Sequence, residues 1–374
     1  MASHADDDKV TYTRLIQRLP SSAPFVGPEA LERKSGVKFV LRLGANESAF
    51  GPSPRAVEAM REATPRVAWY ADPEAYDLRG VIAHHTGASI ESIQIGAGID
   101  ELLGVAVRLF VEPGNATVAS LGAYPTFAFH ATGYGATVER IPYKDDRNDL
   151  DALAEAARRT NARLVYLANP DNPSGSWRTG AEIAAFVDSL PHHCTLLLDE
   201  AYLEFAPLVA HTPIPFAHPQ VMRFRTFSKA YGMAGARIGY TIAAPETIRE
   251  LDKIRLHFGV NLVAQVGAQA ALADQNYLAA VVAEVARGRR QYEALASDFG
   301  LTALPSVTNF VTIDVGGVDR ARATVAALAD AGVFIRMPGA PPLDRCIRVT
   351  VGAQSDRDEF ERIFRDIWPS IASK

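Results

Sequence analysis

Between about residues 50 and 250, short and almost wholly apolar runs alternate with helical runs, and this rhythm narrows the possible folds sharply. IQIGAG (93–98), ATVAS (116–120), RLVYLAN (163–169), TLLLDE (195–200) and VMRFRTF (221–227) read as strands. From Ile99 a helix is expected, because Leu102, Leu103, Ala106, Leu109 and Phe110 recur at helical spacing until Pro113-Gly114 stops them. Further helices are expected over 126–135, 149–159 and 180–190. Near-continuous apolar strands joined by helices form a mostly parallel sheet covered on both faces. After about residue 255 the rhythm changes. Long helical stretches over 262–298 lead to shorter strands at 309–315, 333–337 and 346–352, and a last helix is expected at 356–369. The expectation is a large α/β domain over 46–255 and a smaller α+β domain made from 1–45 and 256–374.

Composition serves to exclude. Apolar residues make up 48% of the 374 and charged residues 22%, with net charge -5. This is the balance of a folded globular chain. No basic run suggests nucleic acid, and no apolar run reaches the ~20 residues needed to span a bilayer. The start, MASHADDDKV, lacks an apolar core and reads as a solvated tail rather than a secretory signal. Cys194 and Cys346 lie in apolar runs and read as buried thiols of a reducing, cytoplasmic compartment. The nine histidines form no ligand-spaced cluster, so no metal is expected.

In an open parallel sheet, ligands bind beyond the carboxyl ends of the strands. TFSKAYGMAGARIGY (226–240) follows such an end. Lys229 supplies an amine that can form a Schiff base with an aldehyde. Thr226, Ser228 and Arg237 supply hydroxyls and a fork suited to phosphate. Pyridoxal 5'-phosphate carries both an aldehyde and a phosphate. Taken alone, the segment also reads as a solvated lysine and arginine near a turn. Asp199 closes TLLLDEAY, where a carboxylate can pair with a protonated pyridine nitrogen and keep the ring an electron sink; a strand-end cap is the plainer reading. Tyr202 and Asn172, in NPDNPSG, can reach the ring's phenolic oxygen, or can be a core aromatic and a turn residue. GAGIDELL places glycines before a helix whose free amides attract phosphate. A dinucleotide fingerprint fails there, because Glu101 stands where a small residue is needed. Phe127 in AYPTF can lie on the ring or in the core.

In their order and spacing, these segments resemble the fold type I pyridoxal-phosphate aminotransferases of the aspartate aminotransferase superfamily, and within it the histidinol-phosphate and aromatic amino acid aminotransferases. The likeness runs from LGANESAFGPSP (43–54) to IRVTVG (347–352). It implies a mostly parallel seven-stranded sheet in the large domain. It implies that Lys229 holds the cofactor and carries the proton between the substrate's Cα and the cofactor. Asp199 would face the ring nitrogen, Tyr202 and Asn172 the phenolic oxygen, and Phe127 the ring face. Thr226, Ser228, Arg237 and the backbone of Ile99, Asp100 and Glu101 would hold the phosphate. Tyr70, in WYADP, would reach the phosphate of a partner subunit, implying a homodimer with shared sites. Arg348 and Arg336 would hold substrate, with Asn46 nearby.

The resemblance implies ping-pong transfer of an amino group from histidinol phosphate or an aromatic amino acid to 2-oxoglutarate. The substrate end departs from the family. Phe25 stands where relatives often carry a tyrosine, NENP is here NESA, and the Gly-Asn-Gly-Ser-Asp-Glu turn is here GAGIDE. Loss of a polar anchor predicts that histidinol phosphate is not clearly preferred over aromatic amino acids. Two rivals share the scaffold: a decarboxylase, and a non-enzymatic sensor domain of a transcriptional regulator.

Overall fold

The structure is a computed structural model and describes residues 11–20 and 26–372. Seven strands form one sheet, in the spatial order Ile93–Gly96, Gly239–Ile242, Val221–Thr226, Thr195–Asp199, Leu164–Ala168, Ala116–Ser120, Thr137–Ile141. Gly239–Ile242 is antiparallel to both neighbours, and the other pairings are parallel.

Side chains alternate across the sheet, as a pleated strand requires. Val165, Leu167, Leu196 and Leu198 pack on one face with Leu153 and Ala157 of helix Leu150–Thr160 and Ile183 and Val187 of helix Gly180–Ser189. Tyr166, Ala168, Leu197 and Phe224 pack on the other face with Leu102, Leu103 and Ala106 of helix Ile99–Phe110. Each such leucine, taken fully out of water, contributes about 1.5–3 kcal/mol. The two-sided burial explains why these strands read as continuous apolar runs.

Beyond the sheet, helices Leu262–Ala273 and Gln275–Asp298 lead to a three-stranded antiparallel sheet. Phe310–Asp314 is its centre, flanked by Cys346–Thr350 and Thr302–Ala303. Helix Gln354–Ala372 closes the described chain. The first part of the chain returns to this region. Leu41–Arg42 pairs in parallel with Val333–Phe334, and the Thr350 amide donates to the Leu43 carbonyl at 2.8 Å. Among the described residues, no helix is long and apolar enough to cross a membrane. Cys194 and Cys346 are both buried and unpaired, and burial pushes each thiol up to about 12. The MASHADDDKV segment and Phe25 lie outside the described residues.

Candidate active site

Ser120, Ala168, Asp199 and Thr226 each end a parallel strand, and all four line one cleft of about 940 Å3. Parallel pairing puts these ends side by side, with Ala168 opposite Asp199 and Asp199 opposite Phe224. Lys229 enters the cleft from the turn after Val221–Thr226. Its Nζ donates to the Ala45 carbonyl at 3.4 Å and stands 5.8 Å from the centre of the Tyr202 ring. Burial, helped by the positive charge of Arg348, lowers the amine's pKa to about 8.

Asp199 is 5% exposed. Its Oδ2 accepts from the Tyr166 hydroxyl at 2.8 Å, and its Oδ1 from the Ala201 amide at 3.0 Å. Burial raises its pKa to about 6, against the pull of those two bonds. Tyr202 is buried, and its hydroxyl accepts from Asn46 Nδ2 at 2.9 Å. Asn46 itself has positive φ (55°) and is held by Thr350, whose hydroxyl donates to Asn46 Oδ1 at 3.1 Å. Asn46 therefore meets Tyr202 directly. Asn172 Oδ1 accepts from Arg348 Nη1, which leaves the Asn172 amide nitrogen with no protein acceptor among the described residues.

Arg348 also donates through Nη2 to the Gly44 carbonyl at 3.0 Å and lies 5.3 Å over the Phe310 ring. Its Nε is buried without an acceptor among the described residues, and burial lowers its pKa. Arg336 is bridged to Arg348 through the backbone. The Arg336 side chain reaches the other way along the chain, donating to the Val26 carbonyl at 2.7 Å.

At the cleft's other end, the Ser228 amide donates to Thr226 Oγ1 at 3.0 Å. Arg237 has positive φ (56°), and its Nη2 lies 3.5 Å from Asp100 Oδ2. Helix Ile99–Phe110 begins here, and first-turn amides have no acceptor within their own helix. Gly98, at φ 85°, makes room: a Cβ there would stand 2.6 Å from Arg237 Nη2. Glu101 turns its carboxylate back onto the Ala97 amide, so its side chain serves the turn and its backbone faces the helix mouth. Phe127 is fully buried in the cleft wall, its ring stacked on Tyr166 at 5.2 Å and 10°. Tyr70 stands apart. It is 83% exposed and lies against Phe258 at 4.8 Å.

The cleft thus gathers Lys229, Asp199, Tyr202, Asn172, Thr226, Ser228, Arg237, Ile99, Asp100, Phe127, Asn46, Arg336 and Arg348, residues scattered along the sequence from 46 to 348. Tyr166, Thr350 and the carbonyls of Gly44 and Ala45 were not foreseen. Tyr166 had a signal: a phenol in an otherwise aliphatic buried strand needs a polar partner. The carbonyls had none, because backbone atoms leave no trace in residue type. Among the described residues, no group of three side chains is placed to hold a metal.

Comparison with known proteins shows the family and the fold. Residues 38–367 match the family described as aminotransferase class I and II. A histidinol-phosphate aminotransferase of Moorella thermoacetica is 34% identical over 371 residues, 97% of this chain and 95% of that protein. One from Anaeromyxobacter is 38% identical over 335 residues, 88% of this chain and 91% of that protein. The crystal structure of histidinol-phosphate aminotransferase from Sinorhizobium meliloti in complex with pyridoxal-5'-phosphate superposes with a TM-score of 0.94 at 49% identity, covering 98% of this chain and all of that one. In fold and sequence alike, the resemblance read from the motifs is borne out, and the chain belongs to the class I and II aminotransferases of fold type I.

Proposed function

We propose that this chain is a pyridoxal-phosphate-dependent aminotransferase that takes its amino group from histidinol phosphate and passes it to 2-oxoglutarate. The observation that carries the reading is Lys229, its amine in a cleft that also holds a buried carboxylate, Asp199, and the Arg237 guanidinium packed against Gly98. The relatives named above support the donor, and neither a decarboxylase nor a sensor domain gains support from them.

The residues present fit the cofactor. Thr226, Ser228, Arg237 and the first-turn amides of Ile99, Asp100 and Glu101 suit its phosphate, and Asp199 suits its ring nitrogen. Asn172, with its amide nitrogen free, and Tyr202 suit the phenolic oxygen, and Phe127 walls the ring. When bound, the cofactor supplies an electron-withdrawing ring that accepts the electron pair released at the substrate's α carbon. Lys229, with a pKa near 8, is partly neutral near neutral pH, so its Nζ could take the proton from the substrate's α carbon and pass it to the cofactor. Arg348 and Arg336 receive the anionic end of the substrate. A guanidinium fork accepts either a phosphate or a carboxylate, so one site serves both donor and acceptor. Asn46 serves them by holding Tyr202.

The reading includes two domains, 46–255 and 1–45 with 256–374. It also includes a cytoplasmic homodimer in which Tyr70 reaches the partner's phosphate site. The exposure of Trp69, Tyr70, Leu256 and Phe258 supports the dimer. The relatives' donor takes precedence over the competition expected from aromatic amino acids, because that competition rests on Phe25, outside the described residues, and on Phe127, which packs against Tyr166. Borohydride treatment of the yellow protein should fix cofactor on Lys229, found by mass spectrometry. Histidinol phosphate should then show the highest kcat/KM in a panel of amino donors with 2-oxoglutarate. An adduct elsewhere would overturn the site, and a phenylalanine kcat/KM equal to that for histidinol phosphate would overturn the donor.

A further inference from the structure

Tyr166 lies in the middle of strand Leu164–Ala168, fully buried, on the same sheet face as Asp199. Their strands are neighbours, with Tyr166 opposite Leu197 and Ala168 opposite Asp199. Tyr166 is therefore one diagonal step from Asp199, and its hydroxyl donates to Oδ2 at 2.8 Å. Its ring is stacked on Phe127 at 5.2 Å. One side chain thus touches both the carboxylate and the aromatic wall of the cleft. Burial and the Asp199 charge hold the phenol well above its ordinary pKa, so it stays a proton donor.

We propose that Tyr166 is a positioning residue that acts through Asp199, holding that carboxylate ionised and oriented toward the pyridine nitrogen of the cofactor. The proposal rests on the reading of Asp199 given above. The Ala201 amide fixes Oδ1 and the Tyr166 hydroxyl fixes Oδ2, so the carboxylate plane is set by one donor in the turn after Asp199 and one on the neighbouring strand. A carboxylate with two donors favours its charged form. Removing one leaves a buried oxygen unmatched and the carboxyl free to turn.

The test is Tyr166→Phe, which keeps the ring stacked on Phe127 and removes one oxygen. Two ligands are titrated into the cofactor-free protein: pyridoxal phosphate, and its 1-deaza analogue, in which a carbon replaces the ring nitrogen. A donor to a charged acceptor is worth about tenfold or more in affinity, so Tyr166→Phe should weaken pyridoxal phosphate by about that factor. The deaza analogue should be weakened little, because it presents no nitrogen to Asp199. In an Asp199→Asn background, adding Tyr166→Phe should change pyridoxal phosphate affinity by less than about twofold, since coupled residues are not additive. Equal weakening of both ligands, or undiminished weakening in the Asp199→Asn background, would show Tyr166 to be a packing residue and overturn the proposal. Equal affinity of the unsubstituted protein for both ligands would overturn the placement of Asp199 itself, and the proposal with it. A Tyr166→Phe protein with unchanged affinity for pyridoxal phosphate would overturn the proposal while leaving Asp199 in place.

Discussion

Lys229 and Asp199 lie in the same cleft, and burial moves their proton affinities toward each other. The amine is lowered to about 8 and the carboxyl raised to about 6. For Lys229 the consequence is kinetic. The rate at which cofactor-free protein condenses with pyridoxal phosphate should rise through about pH 8, where the amine loses its proton, and level above it. A midpoint near that of an ordinary lysine, about 10.4, would contradict the burial. For Asp199 the consequence is also thermodynamic. Its folded pKa lies above the unfolded value of about 3.9, so the folded state binds the proton more tightly. The cost of its charge is therefore full above pH 6 and fades as pH falls toward 4. Cofactor-free Asp199→Asn should be more stable than the unsubstituted protein at pH 8, by about 2–3 kcal/mol at most. The advantage should vanish near pH 4, measured by urea unfolding. With cofactor, the same variant should bind it yet lose most turnover. These two residues were legible in the sequence because residue type carries their chemistry. Tyr166 was less legible, because its role depends on a register that brings it diagonal to Asp199.

At the scale of elements, the turn from Ile93–Gly96 into helix Ile99–Phe110 is the proposed phosphate site. Gly98 combines φ 85° with the close approach of Arg237. Gly98→Ala, at φ 85° and ψ 171° in a region only glycine visits readily, brings strain of roughly 1–3 kcal/mol and pushes the guanidinium aside. It should leave the fold intact while lowering pyridoxal phosphate affinity in an equilibrium titration; an unchanged affinity would mean that Arg237 does not face the phosphate. The central strands were legible because burial on both faces makes them apolar without interruption. Thr137–Ile141 was not recognised as a strand. It is the sheet's edge, partly exposed, and carries Glu139 and Arg140. Gly239–Ile242 escaped because it follows a glycine-rich turn and runs antiparallel, which the βα rhythm does not announce.

The whole molecule ties its seven-stranded and three-stranded sheets together close to Arg348. Arg345 donates to Asp146 Oδ2 at 2.7 Å and to Asp314 Oδ2 at 2.6 Å, joining the strand that carries Arg348 to the loop before Asn148. Beyond one chain, the proposed homodimer with shared sites makes a strict prediction. Tyr70→Phe should weaken pyridoxal phosphate by roughly tenfold without unfolding the protein. Mixed dimers of Lys229→Ala with Tyr70→Ala should regain one intact site and measurable activity; no recovery would place Tyr70 in its own subunit's service. No dimer contact is visible in the sequence of one chain, and the WYADP segment was legible through family likeness alone. Asn46 and Thr350 meet although they are 304 residues apart. That distance sets an order for biosynthesis. A chain emerging from the ribosome exposes Lys229, Asp199 and the turn at Gly98 well before residues 333–350 exist to receive Leu41–Leu43. Contacts so distant in sequence form late and leave their early partners uncovered. The strand ends that carry Lys229 and Asp199 can therefore assemble on the ribosome before Leu41–Leu43 find their partners at Val333–Phe334 and Thr350.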